Sequence, residues 1–363
     1  MTDYTDFSSV LDSVHNTYPA TQQLQLTFNN FVVTIFVNSK PLAARLGHYF
    51  SEFVLKRPQQ HADTIITVHD APEFTLPYTY TQAPPTATQR KIKHEYVDLP
   101  EGRVVHHLRT GMHYLIGSQQ NCIIGPCLQY KNQVVNFINS RFISNRIDNG
   151  YLLGHAAGVT ANGRGMVIAG SSGAGKSTLA LHMLTNGANF VSNDRVLLHH
   201  NGGNPFYGTA QQPRINPGTA FNNPSLKGIL SPEYCKQLEH MDSETLWKLE
   251  HKYDALIPEW YGRHRFIPHA PLSGVAIIDW NHNTQPMVLE ELTAEEATEY
   301  LIHIMKKNDA LHVPKNKDYT EPAITDYIQA LDDTPVFIIR GGVDFPKATN
   351  TLLTFLHTGS TGA

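Results

Sequence analysis

Long apolar runs are missing from this 363-residue chain: nowhere do eighteen apolar residues follow one another, so no segment is written as a membrane-spanning helix. The opening residues, MTDYTDFSSV, lack the basic-then-apolar order of a secretory signal, and a cytoplasmic protein with no membrane partner is expected. Cysteine is scarce. Cys122 and Cys127 are not spaced as a zinc knuckle, and with Cys235 they read as reduced, buried thiols. Positive charge is not concentrated either. The formal net charge is -4 and no Lys/Arg cluster is interleaved with aromatics, which argues against nucleic acid as a partner. The 20 histidines do not amount to a metal signal. His106 with His107, and His199 with His200, are adjacent and point to opposite faces of a strand, so they read as scattered surface residues.

What the chain does hold is apolar content, 41%, sufficient for one large domain or two ordinary ones. Residues 1–149 read as a mixed α+β module. Leu24–Val37 carries two β-prone runs around Asn29-Asn30, a hairpin signal because Asn tolerates positive φ. Helical spacing of Leu42, Leu46, Tyr49, Phe50, Phe53 and Val54 predicts a helix through residue 56. Ile65–Val68 reads as a strand, Ala71–Thr88 as an exposed Pro/Thr-rich loop, and EYVDL, RVVHHLR and MHYLIG as an antiparallel meander. Asn132–Ile147 reads as an amphipathic helix.

Residues 150–357 are organised around Gly170–Asp194, GSSGAGKSTLALHMLTNGANFVSND. GMVIAG is a buried strand, KSTLALHMLTN a helix stopped by Gly187, and NFVSND and RVLLHH two more strands. Farther on come a strand in SGVAIIDWN, a helix in TAEEATEYLIHIMKK with Thr293 as N-cap, a strand in PVFIIRG and a helix in FPKATNTLLTFL. Residues 358–363 are expected to be disordered.

The Walker A pattern G-x-x-x-x-G-K-[ST] fits at Gly170, Gly175, Lys176 and Ser177. A chance match in a chain this long has odds on the order of one in a hundred. Here the match lies between a strand and a helix, as the chemistry requires. A glycine-rich turn of Gly170, Ser171, Ser172, Gly173, Ala174 and Gly175 points backbone N–H groups at a polyphosphate, and the helix begun by Lys176, Ser177 and Thr178 adds the positive end of its dipole. Lys176 is suited to the β and γ oxygens of ATP and the Ser177 hydroxyl to Mg²⁺. Asp194, at the end of the next strand, is placed as a second Mg²⁺ ligand; capping of a turn is its plain structural alternative. His155, in LLGHAAGV, reads by spacing alone as a hydrogen-bonded core residue. Arg214 in PRINPGT is held by two prolines. That stiffness suits a guanidinium aimed at phosphate, and equally a structural turn.

The stretch from Gly154 to Leu198, with its histidine turn, P-loop, loop helix and strand ending in a carboxylate followed by Arg-Val, resembles the catalytic core of HPr kinase/phosphorylase. PRINPGTAFNNPSL and GPCLQYKNQVVNFIN extend the resemblance, from about Leu24 to the C-terminal helix, to the group called HprK-related kinase B. The resemblance implies an α/β fold, a kinase core of the phosphoenolpyruvate-carboxykinase-like type, a need for ATP and Mg²⁺, phosphate transfer to a hydroxyl of a protein, peptide or small molecule, and self-association. It assigns catalytic roles to His155, Lys176 and Asp194. One departure stands out: HPr kinases carry Asp-Asp where this chain has Asn193-Asp194. The first of the family's aspartates takes the acceptor's proton, and Asn is no base, so the HPr acceptor and the phosphorylase reaction do not carry over. A nucleotide-gated switch protein is the alternative.

Overall fold

The computed structural model describes residues 6–72, 74–84, 92–118, 120–201 and 205–362. The chain divides into two compact units, Met1–Asn149 with Lys307–Glu321, and Gly150–Lys306 with Pro322–Ala363. Each is mixed α/β, with sheets that combine parallel and antiparallel pairs. Among the described residues no helix is long and apolar enough to cross a membrane.

The first unit runs α1 (Phe7–Thr17), β1 (Gln22–Phe28), β2 (Phe31–Val37), α2 (Lys40–Tyr49), β3 (Thr64–Asp70), β4 (Thr81–Gln82), β5 (His94–Leu99), β6 (Gly102–His107), β7 (Met112–Gly117), β8 (Gln120–Gly125) and α3 (Lys131–Asp148). One sheet takes the order β1-β2-β3-β8-β7-β6-β5-β4. Asn29 and Asn30 turn the β1–β2 hairpin at φ of 50° and 70°, the positive values that the type I′ turn demands. The meander is present as antiparallel β5, β6 and β7. Helix α2 stops at Tyr49, short of the expected residue 56. The chain beyond it is taken by the edge of β1, where Thr27 donates to Phe53 O at 2.9 Å and Leu55 to Gln25 O at 2.9 Å.

Helix α1 and strand β8 are additions to the sequence-based expectation. Asp6 caps α1 by accepting from Ser9 N at 2.7 Å, and Phe7, Val10, Leu11 and Val14 form its buried stripe. That stripe covers one sheet face, while the other meets α3 through Tyr114 and Phe137, whose rings lie 5.1 Å apart. The segment from Ala71 is not the wholly exposed loop expected. Ala71 and Leu76 are buried in the α1 core, with Phe74, Tyr78 and Tyr80 packed on it; residues 73 and 85–88 lie outside the described residues.

Covering both faces of the sheet also corrects the reading of the histidines as surface residues. His69, His107 and His113 are buried. His106 stacks on His113 at 4.5 Å and His94 meets His107 at 5.0 Å. Burial pushes His69 and His107 down to about 4 and His113 to about 3. The cysteines are free and buried, as expected, and burial raises the Cys122 thiol to about 12.

The second unit runs β9 (Tyr151–Gly154), β10 (Ala157–Ala161), β11 (Arg164–Gly170), α4 (Lys176–Thr185), β12 (Asn189–Ser192), β13 (Val196–His199), β14 (Pro205–Gly208), β15 (Arg214–Ile215), α5 (Pro217–Phe221), α6 (Pro232–Leu238), α7 (Ser243–Lys248), β16 (Tyr253–Asp254), α8 (Ile257–Trp260), β17 (His269–Ile278), β18 (Val288–Leu292), α9 (Thr298–Leu301), α10 (Ile324–Leu331), β19 (Val336–Arg340) and α11 (Phe345–Thr358). At its centre β11, β17 and β19 are parallel. They are nearly continuous apolar runs because both of their faces are buried. Val167, Val275, Val336 and Ile338 pack with Leu301, Ile304, Tyr327 and Leu331, and on α11 Phe355 meets Phe337 at 4.8 Å. Antiparallel β10 and β12 extend one edge, and the first residues of β17 pair with β14, which leads to β13 and β9.

Two helix ends deserve comparison with the sequence. Gly187, at φ 109°, closes α4: Ala188 N bonds Met183 O at 3.0 Å and Gly187 N bonds Leu184 O at 3.1 Å, a Schellman stop. The helix expected from Thr293 to Lys307 is not formed. Thr293 and Glu296 do make a capping box, with bonds of 3.2 and 2.8 Å, but helical structure is confined to α9. Beyond it the backbone is captured by the end of β9, where His155 N donates to Ile304 O at 2.7 Å and Met305 bridges Gly154. Residues 307–321 then join the first unit rather than the second. The tail expected to be disordered is ordered at its start, where Thr358 ends helix α11 and Gly359, at φ 86°, donates to Phe355 O at 2.8 Å; residue 363 lies outside the described residues.

The buried histidines set a pH dependence. Their folded pKa values lie below the unfolded 6.5, so the native state binds fewer protons between about pH 6.5 and 4. Their stabilising contribution is complete above that window and is lost as the pH falls through it. Urea unfolding at pH 7 and pH 5 should show a loss on the order of 1–2 kcal/mol per histidine. A His113→Phe variant should show a shallower slope; an unchanged slope would refute the assignment.

Candidate functional site

Strand β11 ends at Gly170, and the loop Ser171–Gly175 leads directly into α4. Three glycines take left-handed or extended positive φ: 147° at Gly170, 83° at Gly173 and 102° at Gly175. A Cβ at Gly170 would stand 2.9 Å from Ile278 O, and one at Gly175 would stand 2.9 Å from the Phe345 ring, whereas Gly173 faces open space. Phe345 belongs to an aromatic group that walls this side of the loop. It packs edge-on to Trp280 at 4.8 Å and stacks with His182 at 5.4 Å. Trp280 Nε1 also donates to Ala174 O at 2.9 Å and so pins the loop. Ser171, Ser172 and Gly173 are exposed. No side chain caps the N-terminus of α4, so the loop and the first helical turn present an uncapped dipole end suited to an anion.

Lys176 opens α4 and its side chain folds back, donating to Gly170 O at 2.9 Å and Ser171 O at 3.0 Å. It is 8% exposed; burial draws the ammonium down to about 8, with the Asp194 charge opposing that fall. Ser177 is half-buried. The hydroxyls of Thr178 and Thr219 lie 2.8 Å apart, tying α4 to the start of α5.

Asp194 sits in the turn after β12, which Ser192 Oγ braces by donating to Arg195 O. Its carboxylate is 40% exposed. His155 Nδ1 lies 3.3 Å from Oδ1, while Lys306 Nζ at 3.6 Å and Arg195 Nε at 3.7 Å approach Oδ2. Burial works against ionisation of Asp194, but Lys306, Arg195, His155 and Lys176 outweigh it and hold the carboxyl below its ordinary range. His155 is drawn down to about 4 by burial, against the pull of Asp194 and with help from the neighbouring cations. It is therefore neutral near pH 7, and its Nδ1 accepts from Lys306 Nζ at 3.3 Å. Next to this group Asn193 Oδ1 is buried with no hydrogen-bond partner among the described residues, an arrangement that costs about 1–3 kcal/mol.

The structure thus brings His155, Lys176 and Asp194 together and does not bring Arg214 into their ion pairs. Arg214 is 44% exposed and pairs with Asp254 at 3.3 Å across the two-residue β15–β16 ladder. Lys252 lies within the field of both Arg214 and Asp194: burial lowers its ammonium, with Arg214 adding to the fall and Glu250 and Asp194 opposing it. Among the described residues, Asn216 in the same segment as Arg214 precedes α5 without a side-chain cap, and its buried Oδ1 has no hydrogen-bond partner. Lys306, Lys252 and Trp280 are site residues that sequence reasoning missed. Lys306 lies 151 positions from His155 in a stretch patterned as helix, so no local signal marks it.

Among the described residues no cluster of three His, Cys, Asp or Glu side chains could hold a metal. Mg²⁺ needs no such cage. It is commonly held by one or two protein oxygens, substrate phosphates and water, and an anionic Asp194 with the Ser177 hydroxyl is a donor set of the right chemistry.

The two inner glycines give a direct check on the loop. Gly175→Ala should cost about 1–3 kcal/mol in chemical unfolding, because its strained φ is joined by a clash with Phe345. Gly173→Ala, with open space, should cost only about 1 kcal/mol; equal costs would disprove the aromatic wall. In comparison with known proteins, no family model and no curated protein matches the chain.

Proposed function

We propose that the second unit is an ATP- and Mg²⁺-dependent kinase, with a core of the HPr kinase-like type, that transfers the γ-phosphate to a hydroxyl of a protein, a peptide or a small molecule. The observation that carries this reading is a Walker A lysine at the carboxyl end of a central parallel strand, within electrostatic reach of an ionised carboxylate. Open α/β sheets bind their ligands at that end. The family resemblance adds to it on the residues of Gly154–Leu198.

In this reading the loop N–H groups and Lys176 hold the phosphates, and Asp194 and Ser177 hold the metal. Bound Mg²⁺ supplies charge neutralisation at the phosphate oxygens. The acceptor oxygen forms a bond to the γ-phosphorus while the bond to the bridging oxygen breaks, and ADP leaves with that electron pair. Neither His155 nor Asp194 is a strong base, since both are held below their ordinary pKa. That suits a loose transition state, in which the acceptor's proton departs late and positioning with charge neutralisation supplies the rate. The proton then passes to His155 or Asp194.

Asn193 favours one second reading. An amide in place of the family's base fits a nucleotide-gated switch that hydrolyses ATP slowly or not at all. Incubation with γ-labelled ATP and a lysate fraction separates the two: label on a protein or small molecule is expected for a kinase, and label only in free phosphate would leave the switch. Lys176→Ala and Asp194→Asn should each lower transfer by about a hundredfold or more. Full activity in Asp194→Asn would sink the kinase mechanism.

A further inference from the structure

We infer that Lys306 is a phosphate-binding residue of this site, whose ammonium joins Lys176 on the terminal phosphates of a nucleoside polyphosphate; the inference rests on the nucleotide reading given above.

The first support is how Lys306 is delivered. The pattern from Thr293 to Lys307 is that of a helix, yet helical structure ends at Leu301. The next residues straighten and pair with the two residues that position the histidine: Ile304 O accepts from His155 N at 2.7 Å, and Met305 bridges Gly154. Tyr327 holds the same place, donating from its hydroxyl to Leu153 O at 2.6 Å and standing 3.5 Å from Lys306 N. The backbone of Lys306 is therefore built into the wall of the site rather than left on a helix surface.

The second support is electrostatic. Lys306 Nζ stands near both His155 Nδ1 and Asp194 Oδ2, at 3.3 and 3.6 Å. Charge-assisted bonds close at about 2.7–2.9 Å, so these are loose contacts, and the side chain keeps 27% of its surface exposed. Arg195 Nε approaches the same Oδ2 at 3.7 Å, so Lys306 is one of two cations on that oxygen. Two cations gathered around a single carboxylate oxygen repel each other. A polyanion turns that repulsion into binding energy, and a triphosphate supplies more negative charge than Asp194 alone.

The test is titration calorimetry of the full chain with ATP, AMP and inorganic tripolyphosphate, on the wild type and on Lys306→Met, Lys306→Arg, Lys176→Met and, as a control, Lys307→Met. Lys306→Met should weaken ATP and tripolyphosphate by about tenfold or more and leave AMP within about twofold. Lys306→Arg should restore most of the loss, and Lys307→Met should match the wild type. If Lys306→Met binds ATP as the wild type does while Lys176→Met does not, the Lys306 inference falls and the nucleotide reading stands. If tripolyphosphate binds through both lysines and ATP binds no better, the phosphate role of Lys306 stands and the nucleotide reading falls. Equal loss of AMP, or no binding of any ligand by the wild type, overturns the inference. Should Lys306→Met fail to fold, acetic anhydride labelling of the wild type decides: protection of Lys306 by ATP but not by AMP supports the role, and equal labelling rejects it.

Discussion

The parallel pairing of β11 with β17 is the constraint on which the second unit depends. It runs from Gly165 opposite Leu272 to Gly170 opposite Ile278, and so ends where the loop begins. Gly170 must pass close to Ile278 O at the last rung, and the backbone turns there into Ser171. Trp280, two residues beyond the end of β17, then reaches Ala174 O. The loop is thus clamped near both of its ends by β17 and the residues that follow it, in a conformation that its own glycines permit.

Around that clamp the chain accepts unfavourable local terms. Asn193 and Asn216 bury amide oxygens without partners among the described residues, Lys176 is an almost wholly buried ammonium, and cations crowd a single carboxylate. Elsewhere in the unit the apolar faces of β11, β17 and β19 are closely packed and consistent with their sequence pattern. Stability resides in the sheet; further unpartnered polar atoms among the described residues, Asn223 Nδ2, Arg265 Nε and Thr349 Oγ1, lie elsewhere in the unit. Local conflicts of this kind concentrate at functional sites.

Much of this architecture was legible because the signals were local. Asn29-Asn30, the three meander strands, the apolar β11 and the Gly187 stop each act through neighbours in sequence, and the Gly170–Ser177 pattern is contiguous. What was not legible depended on distant partners. The helix expected past Leu301 lost to hydrogen bonds from Gly154 and His155, and the helix expected past Tyr49 lost to the edge of β1. The histidines looked like surface residues because alternation tells which face a side chain takes, not whether that face is covered. Lys306 had no signature, since its meaning comes only from the pairing that brings it beside His155 and Asp194. The same holds for Trp280, whose bond to the loop joins residues 106 positions apart.

The return of Lys307–Glu321 to the first unit bears on how the protein is made. Arg141, buried in α3, donates to Leu311 O; Arg103 donates to Ala310 O at 3.3 Å, and Ser144 lies 3.1 Å from His312 Nδ1. Those partners leave the ribosome long after the helix and strand that need them. Until they do, the buried guanidinium of Arg141 has Ser140 and Asn121 as acceptors but lacks Leu311 O. The last segment of the first unit is therefore synthesised only after residues 150–306 of the second.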